Sequence, residues 1–149
     1  MTRIDIWTDG SCQPNPGPGG WAAILTSSNH RKELYGRLDQ STNIRAEITA
    51  AIQALRALKG GPHQVTIHTD SEYVKRAIEG MKKPKANFDL LEELERVEGE
   101  HEISVRWVRG HTGPQQRTMR STGNTCQTDE MKEMTHDYRS SLPSLSQRI

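Results

Sequence analysis

Three acidic residues hold positions from which a carboxylate can do chemistry. Asp9 follows the first apolar alternation of the chain, Ile4 to Thr8, and Asp70 follows a short apolar run, Val65 to His68. Glu47 falls in the first turns of an amphipathic segment between them. Strand ends on one edge of an α/β sheet are where sites tend to form, so the three can converge. Three ionised carboxylates in one place repel unless a proton or a cation intervenes. Their hard oxygens suit Mg²⁺ or Mn²⁺. Two such ions about 4 Å apart can activate a water and stabilise the leaving oxygen of a phosphodiester. Taken singly, each residue has an ordinary use: an Asp at a strand end turns or caps the chain, and a Glu on a helix faces solvent. His111, in a glycine-flanked stretch, is by itself more simply a solvated residue.

The elements that must position these residues are legible from periodicity. Ile4 to Thr8 reads as a strand, Gly10 to Gly20 as a Gly/Pro-rich loop, Trp21 to Thr26 as a second strand and Arg31 to Leu38 as a third, hairpin-paired one. Thr42 or Asn43 can cap a helix from Ile44 to about Leu58, with Ile48, Ala51, Leu55 and Leu58 on its apolar stripe. Val65 to His68 is a fourth strand. Ser71 can cap a second helix, Tyr73 to Ile78, that Gly80 ends. Asp89 to Val97 is a third helix with Leu90, Leu91 and Leu94 inward, and Ile103 to Val108 a fifth strand with Ile103, Val105 and Trp107 alternating. The order predicts an α/β fold, a mixed five-stranded sheet with helices packed on it.

The 149 residues suit one core. Hydrophobic residues make up 32% and charged residues 26%, and no apolar run approaches the ~20 residues that span a bilayer. The N-terminus carries a carboxylate where a signal peptide needs an apolar run. Two cysteines, Cys12 and Cys126, are too few for a disulfide framework. A reduced, cytoplasmic, monomeric protein is expected. The net charge of +1 gives no whole-chain sign of nucleic-acid binding, so any such surface is local. Composition shifts near Pro114: residues 114–149 contain no Ala, Val, Phe or Trp. The expected organisation is a core over residues 1–113 and an atypical, partly disordered segment over 114–149.

Four stretches together carry a resemblance. TDGSCQPNPGPGGWAAIL from Thr8 to Leu25, TNIRAE from Thr42 to Glu47, HTDSEYV from His68 to Val74 and WVRGHTG from Trp107 to Gly113 stand in the order of the type 1 ribonuclease H motifs. The resemblance covers roughly three quarters of the chain. It implies a ribonuclease H-like fold and an endonuclease that cuts the RNA strand of an RNA/DNA hybrid by a two-metal-ion mechanism. The products would carry 3′-hydroxyl and 5′-phosphate ends. It implies that Asp9, Glu47 and Asp70 are metal ligands for Mg²⁺, with Mn²⁺ as substitute, Asp9 bridging both ions, and that His111 assists proton transfer or product release. It further implies that Cys12, Asn15, Asn43 and Glu47 meet the minor groove and the RNA 2′-hydroxyls, the groups that tell a hybrid from DNA, while Thr42, Arg45 and Asn15 lie where the family grips a DNA phosphate. The rival expectations are a hybrid-binding module that does not cut and another nuclease or integrase on the same fold.

Several positions depart from the family pattern. Ile44 stands where many bacterial members have a second Asn, and Glu72 where many have Gln, which adds a carboxylate beside the substrate. The basic protrusion of many members shrinks to Met81–Asn87, MKKPKAN, so weak, salt-sensitive hybrid affinity is expected. After Gly113 the family's Asn-Glu-Arg-Ala/Cys-Asp helix start, whose Asp is the fourth metal ligand, is missing. The nearest candidate, Asp129, lies 18 residues after His111, where the family spacing is close to ten. Read one base later, the codons of Gln116 to Ser121 permit Asn-Glu-Arg-Cys-Asp, with Cys nearly forced by the single Met119 codon. The same frame meets a stop across Met131 and Lys132. A frameshifted C-terminal segment is the expectation, and the coding DNA decides it.

Overall fold

The computed structural model describes residues 2–28 and 30–108. Within them the chain runs β1 (Arg3–Cys12), β2 (Gly17–Ser27), β3 (His30–Ser41), α1 (Asn43–Arg56), β4 (Gln64–Thr69), α2 (Glu72–Glu79), α3 (Phe88–Glu98) and β5 (Glu102–Trp107). The strands form one sheet in the order β3-β2-β1-β4-β5. β1 lies at its centre, antiparallel to β2 and parallel to β4, and β5 continues the parallel half. This is the mixed α/β sheet that the sequence predicts.

One face of the sheet is packed by helices. Strand alternation turns Ile4 and Ile6 of β1, Ala23 and Leu25 of β2, and Val65 and Ile67 of β4 into one buried cluster with Ile48, Ala51 and Leu55 of α1, Val74 of α2 and Leu94 of α3. Leu58 and Leu90 pack on its margin. Burial of this apolar surface is the main stabilising term for a domain of this size. The other side chains of β1, Asp5, Trp7 and Asp9, point to the opposite face. There a second cluster forms from Ala22, Ile24, Trp7 and Tyr35.

The structure corrects several sequence expectations. Gly10 to Gly20 is not a loop: β1 and β2 pair through Cys12↔Gly19, which leaves only residues 13–16 as the connection. Glycine lowers strand propensity, but here the ladder supplies hydrogen bonds that local propensity does not foresee. Asp9 therefore lies inside β1, three positions before its end. Leu91 does not join the core; it lines a groove between α2 and α3. Trp107 alternates with Ile103 and Val105 but is 47% exposed, because β5 is an edge strand at the end of the sheet order.

Candidate active site

Glu47 reaches the sheet because β1 carries a glycine where α1 crosses it. A Cβ on Gly10 would stand 2.4 Å from the Ala46 carbonyl carbon and 2.7 Å from the Glu47 nitrogen. That is closer than real Cβ contacts allow, so Gly10 sets how near the helix comes to Asp9. Thr42 caps α1, its hydroxyl accepting from the Arg45 N–H at 3.1 Å. The cap fixes where the helix begins, and so places Glu47 in its second turn.

Asp70 is placed by the parallel register of β1 and β4. Trp7 pairs with His68, and Asp9 and Asp70 each follow by two residues at the same edge. The rings of Trp7 and His68 stack at 4.5 Å and 9°, and the His68 Nε2 lies 3.0 Å from Asp5 Oδ1. Ser71, just past Asp70, caps α2 by accepting from the Val74 N–H at 3.2 Å. Its hydroxyl also bonds the Glu47 carboxyl.

The electrostatics tie the three carboxylates together. Burial is the largest influence on Glu47 and raises its pKa; the Ser71 hydroxyl pulls the other way, and the charges of Asp70 and Asp9 raise it further, to about 7. The Asp9 carboxylate accepts from the Gly10 N–H at 3.0 Å. Among the described residues, no three Asp, Glu, His or Cys side chains stand close enough to share one ion as they are. The donor set nevertheless fits a hard divalent cation. All three are carboxylates, and Glu47 is held partly dehydrated beside like charge that a cation would offset.

The residues expected to touch substrate are first seen holding the chain together. The Asn43 side-chain oxygen accepts from the Cys12 N–H at 2.7 Å, and the Asn43 N–H donates to the Asn15 side-chain oxygen at 3.0 Å. These bonds tie the β1–β2 connection to the start of α1. Cys12 is buried. Arg45 makes a two-pronged contact with Asp89, 3.0 and 2.7 Å, and donates to the Asn87 side-chain oxygen at 3.2 Å. The Arg45 guanidinium holds Asp89 down to about 2. Glu72 is exposed and pairs with Arg76 one turn later at 3.4 Å. His111 and Asp129 lie outside the described residues, as does all of 109–149.

Sequence reasoning missed three residues that shape this region. The sequence presents Ser71 only as a cap, yet it also bonds Glu47. The sequence presents Asp89 only as the start of a helix, yet it engages Arg45. Asn87, whose amide also donates to the Tyr73 hydroxyl at 3.3 Å, has φ of 61° at the head of α3. An Asn before an apolar-periodic run is a cap signal, but its contact with Arg45, 42 positions away, has no local trace.

Comparison with known proteins decides the lineage. The family profile described as RNase H matches residues 1–131. The chain belongs to the ribonuclease H family. The ribonuclease H of Bordetella pertussis is 42% identical over 124 residues, covering 74% of this chain and 79% of that protein. That of Granulibacter bethesdensis is 48% identical over 123 residues, covering 74% and 81%. Among solved structures, LC9-RNase H1, a type 1 RNase H with the type 2 active-site motif, is similar at a TM-score of 0.71 and 26% identity, covering 85% of this chain and 72% of that one. LC11-RNase H1 in complex with an RNA/DNA hybrid shares the fold at a TM-score of 0.66 and 22% identity, covering 78% and 92%. Ribonucleases H are metal-dependent nucleases, and β1, α1 and the turn after β4 each bring one carboxylate of this chain, Asp9, Glu47 and Asp70, into electrostatic contact.

Proposed function

We propose that this ribonuclease H is an endonuclease that hydrolyses the RNA strand of RNA/DNA hybrids, leaving 3′-hydroxyl and 5′-phosphate ends. The observation that carries the reading is the electrostatic coupling of Glu47 to Asp70 and Asp9 in a chain of this family. Asp9, Glu47 and Asp70 are the proposed metal ligands, for Mg²⁺ with Mn²⁺ as substitute. Bound there, divalent ions would supply an activated water and charge neutralisation at the scissile phosphodiester.

The chain's own residues do the rest. Gly10 and the Thr42 cap hold Glu47 against β1, and Ser71 orients its carboxyl. Cys12, Asn15 and Asn43, already joined by hydrogen bonds, present a fixed edge to the minor groove and the 2′-hydroxyls. Thr42, with the N-terminus of α1, and Arg45 receive a DNA phosphate. Arg45 does so by sharing its guanidinium between Asp89 and the phosphate, since five donors serve both. Glu72 lies beside this surface and opposes it with negative charge. His111 assists proton transfer or product release.

Residues 114–149 are proposed to be an atypical segment whose coding frame has shifted. Asp129 replaces the family's fourth carboxylate only if the stretch before it loops out, so activity is low or Mn²⁺-dependent. Sequencing the coding DNA around codons 114–116 tests the frame. The proposed setting is a cytoplasmic monomer; among the described residues no helix is long and apolar enough to cross a membrane.

The deciding experiment is cleavage of an end-labelled RNA/DNA hybrid, with the matching DNA duplex as control, by the wild type and by Asp9→Asn. The hybrid alone should be cut, and Asp9→Asn should fall to background while its melting temperature stays equal or rises. Wild-type cleavage by Asp9→Asn would sink the metal assignment. Tight hybrid binding with no cleavage in either Mg²⁺ or Mn²⁺ would establish a binding module instead.

A further inference from the structure

The short Met81–Asn87 connection leaves a groove of about 540 Å³ between α2 and α3. Ile78 of α2, Met81 of the connection, and Phe88 and Leu91 of α3 give it an apolar lining. Phe88 is 60% exposed, although it opens a helix whose Leu90, Leu94 and Val97 pack into or against the core. Lone exposed apolar residues are unremarkable, but this one stands with others around a concavity, which is the pattern of a binding surface.

One wall of the groove is acidic. Glu92, Glu95 and Glu98 of α3 all line it. Neighbouring carboxylates of α3 have cationic partners: Asp89 pairs with Arg45, and Glu93 with Arg56 and Arg96. None of the ion pairs among the described residues uses Glu92, Glu95 or Glu98. Burial chiefly, and then the charge of Glu95, raise the pKa of Glu98. The lysines Lys82, Lys83 and Lys85 of the connection are exposed and do not line the groove.

From this charge pattern we infer that the α2–α3 groove docks a basic amphipathic segment of a partner protein, its apolar face on Phe88 and Leu91 and its cationic edge along Glu92, Glu95 and Glu98. An amphipathic helix laid in a groove with anchors at helical spacing is a recurrent recognition mode. Charge complementarity of this kind selects partners and speeds encounter. The acidic wall rejects a nucleic-acid backbone, so the occupant is a protein segment, and the groove shares no lining residue with the carboxylate site.

The test titrates the full chain with a synthetic helical peptide of Leu and Lys at amphipathic spacing, against a control of the same Leu pattern with Glu for Lys. Calorimetry should find saturable one-to-one binding of the Lys peptide and none of the Glu peptide. Glu92→Lys/Glu95→Lys should weaken the Lys peptide at least about tenfold, and Phe88→Ser should do the same at unchanged salt dependence. Both changes fall on exposed positions, so far-UV circular dichroism and the melting temperature should match the wild type. Equal binding of both peptides, no binding, or indifference to either variant overturns the proposal. So does concentration-dependent dimerisation in sedimentation that Phe88→Ser abolishes, which would make a second copy the occupant.

Discussion

Protons and cations compete for the oxygens of Glu47, and the competition sets how the metal-free protein responds to pH. The folded-state pKa of about 7 lies above the ordinary value of 4.5. The native state therefore binds more protons than the unfolded chain between those values, and stability falls as pH rises. The contribution is fully present below about 4.5 and is lost as pH rises through about 7. The shift caps it at roughly 3 kcal/mol, reduced by solvent access to the partly buried site. In chelator-treated protein, Glu47→Gln should remove this decline across the window, read as the difference between variant and wild-type melting temperatures from pH 4.5 to 7.5. A parallel decline in both proteins would show that Glu47 is not the group responsible. His111 belongs to the same scale. As an auxiliary proton-transfer group, its replacement by Ala should slow turnover by about 10²-fold with little change in KM. A loss as complete as that of a metal-ligand variant, measured under saturating hybrid, would make it indispensable instead.

At the level of elements, the site depends on how closely α1 rides on β1. Gly10→Ala puts a Cβ 2.4 Å from the Ala46 carbonyl carbon, a backbone neighbour that cannot rotate away. Helix or strand must move, at a cost of about 1–3 kcal/mol for an overpacked contact. The separation of Glu47 from Asp9 grows with it. Denaturant titration should show the lost stability, and hybrid cleavage should fall by more than the unfolded fraction explains. An active Gly10→Ala enzyme with native stability would mean that the helix position is not what limits the site. This contact also shows where periodicity reading stops. The stripe Ile48, Ala51 and Leu55 fixed which face of α1 is buried, and the structure agrees. The Gly10 contact joins residues 36 positions apart in the chain, and no local pattern reports it.

Across the whole molecule, the grip on substrate must come from a local surface, because the net charge is only +1. The exposed Lys82, Lys83 and Lys85 are the proposed part of that surface, and each phosphate contact would add about one unit to the salt slope of binding. Replacing all three by Gln should raise KM for hybrid at low salt and flatten the dependence of log KM on log salt by up to about three units, with kcat nearly unchanged. An unchanged salt slope would place the phosphate contacts elsewhere, with Arg45 and the α1 N-terminus as the first candidates.

The sequence by itself singled out the three carboxylates, the order of strands and helices, the cap at Ser71, Thr42 as one of two candidate caps of α1, and the family. Each of these is written in residues that are adjacent or at a fixed helical or strand period, so they survive being read one segment at a time. It misplaced the Gly/Pro stretch after Asp9, because glycine looks like a loop until a partner strand supplies its hydrogen bonds. It put Trp107 on one alternating face with Ile103 and Val105 but did not say how far that face is buried, because alternation does not show which strand ends up at the edge of a sheet. Only the tertiary structure decided that Glu47 is pushed up to about 7, that Arg45 is already engaged by Asp89, and that α2 and α3 leave an acidic-walled groove between them. These follow from distances between side chains far apart in sequence, and burial and charge act through space, not along the chain.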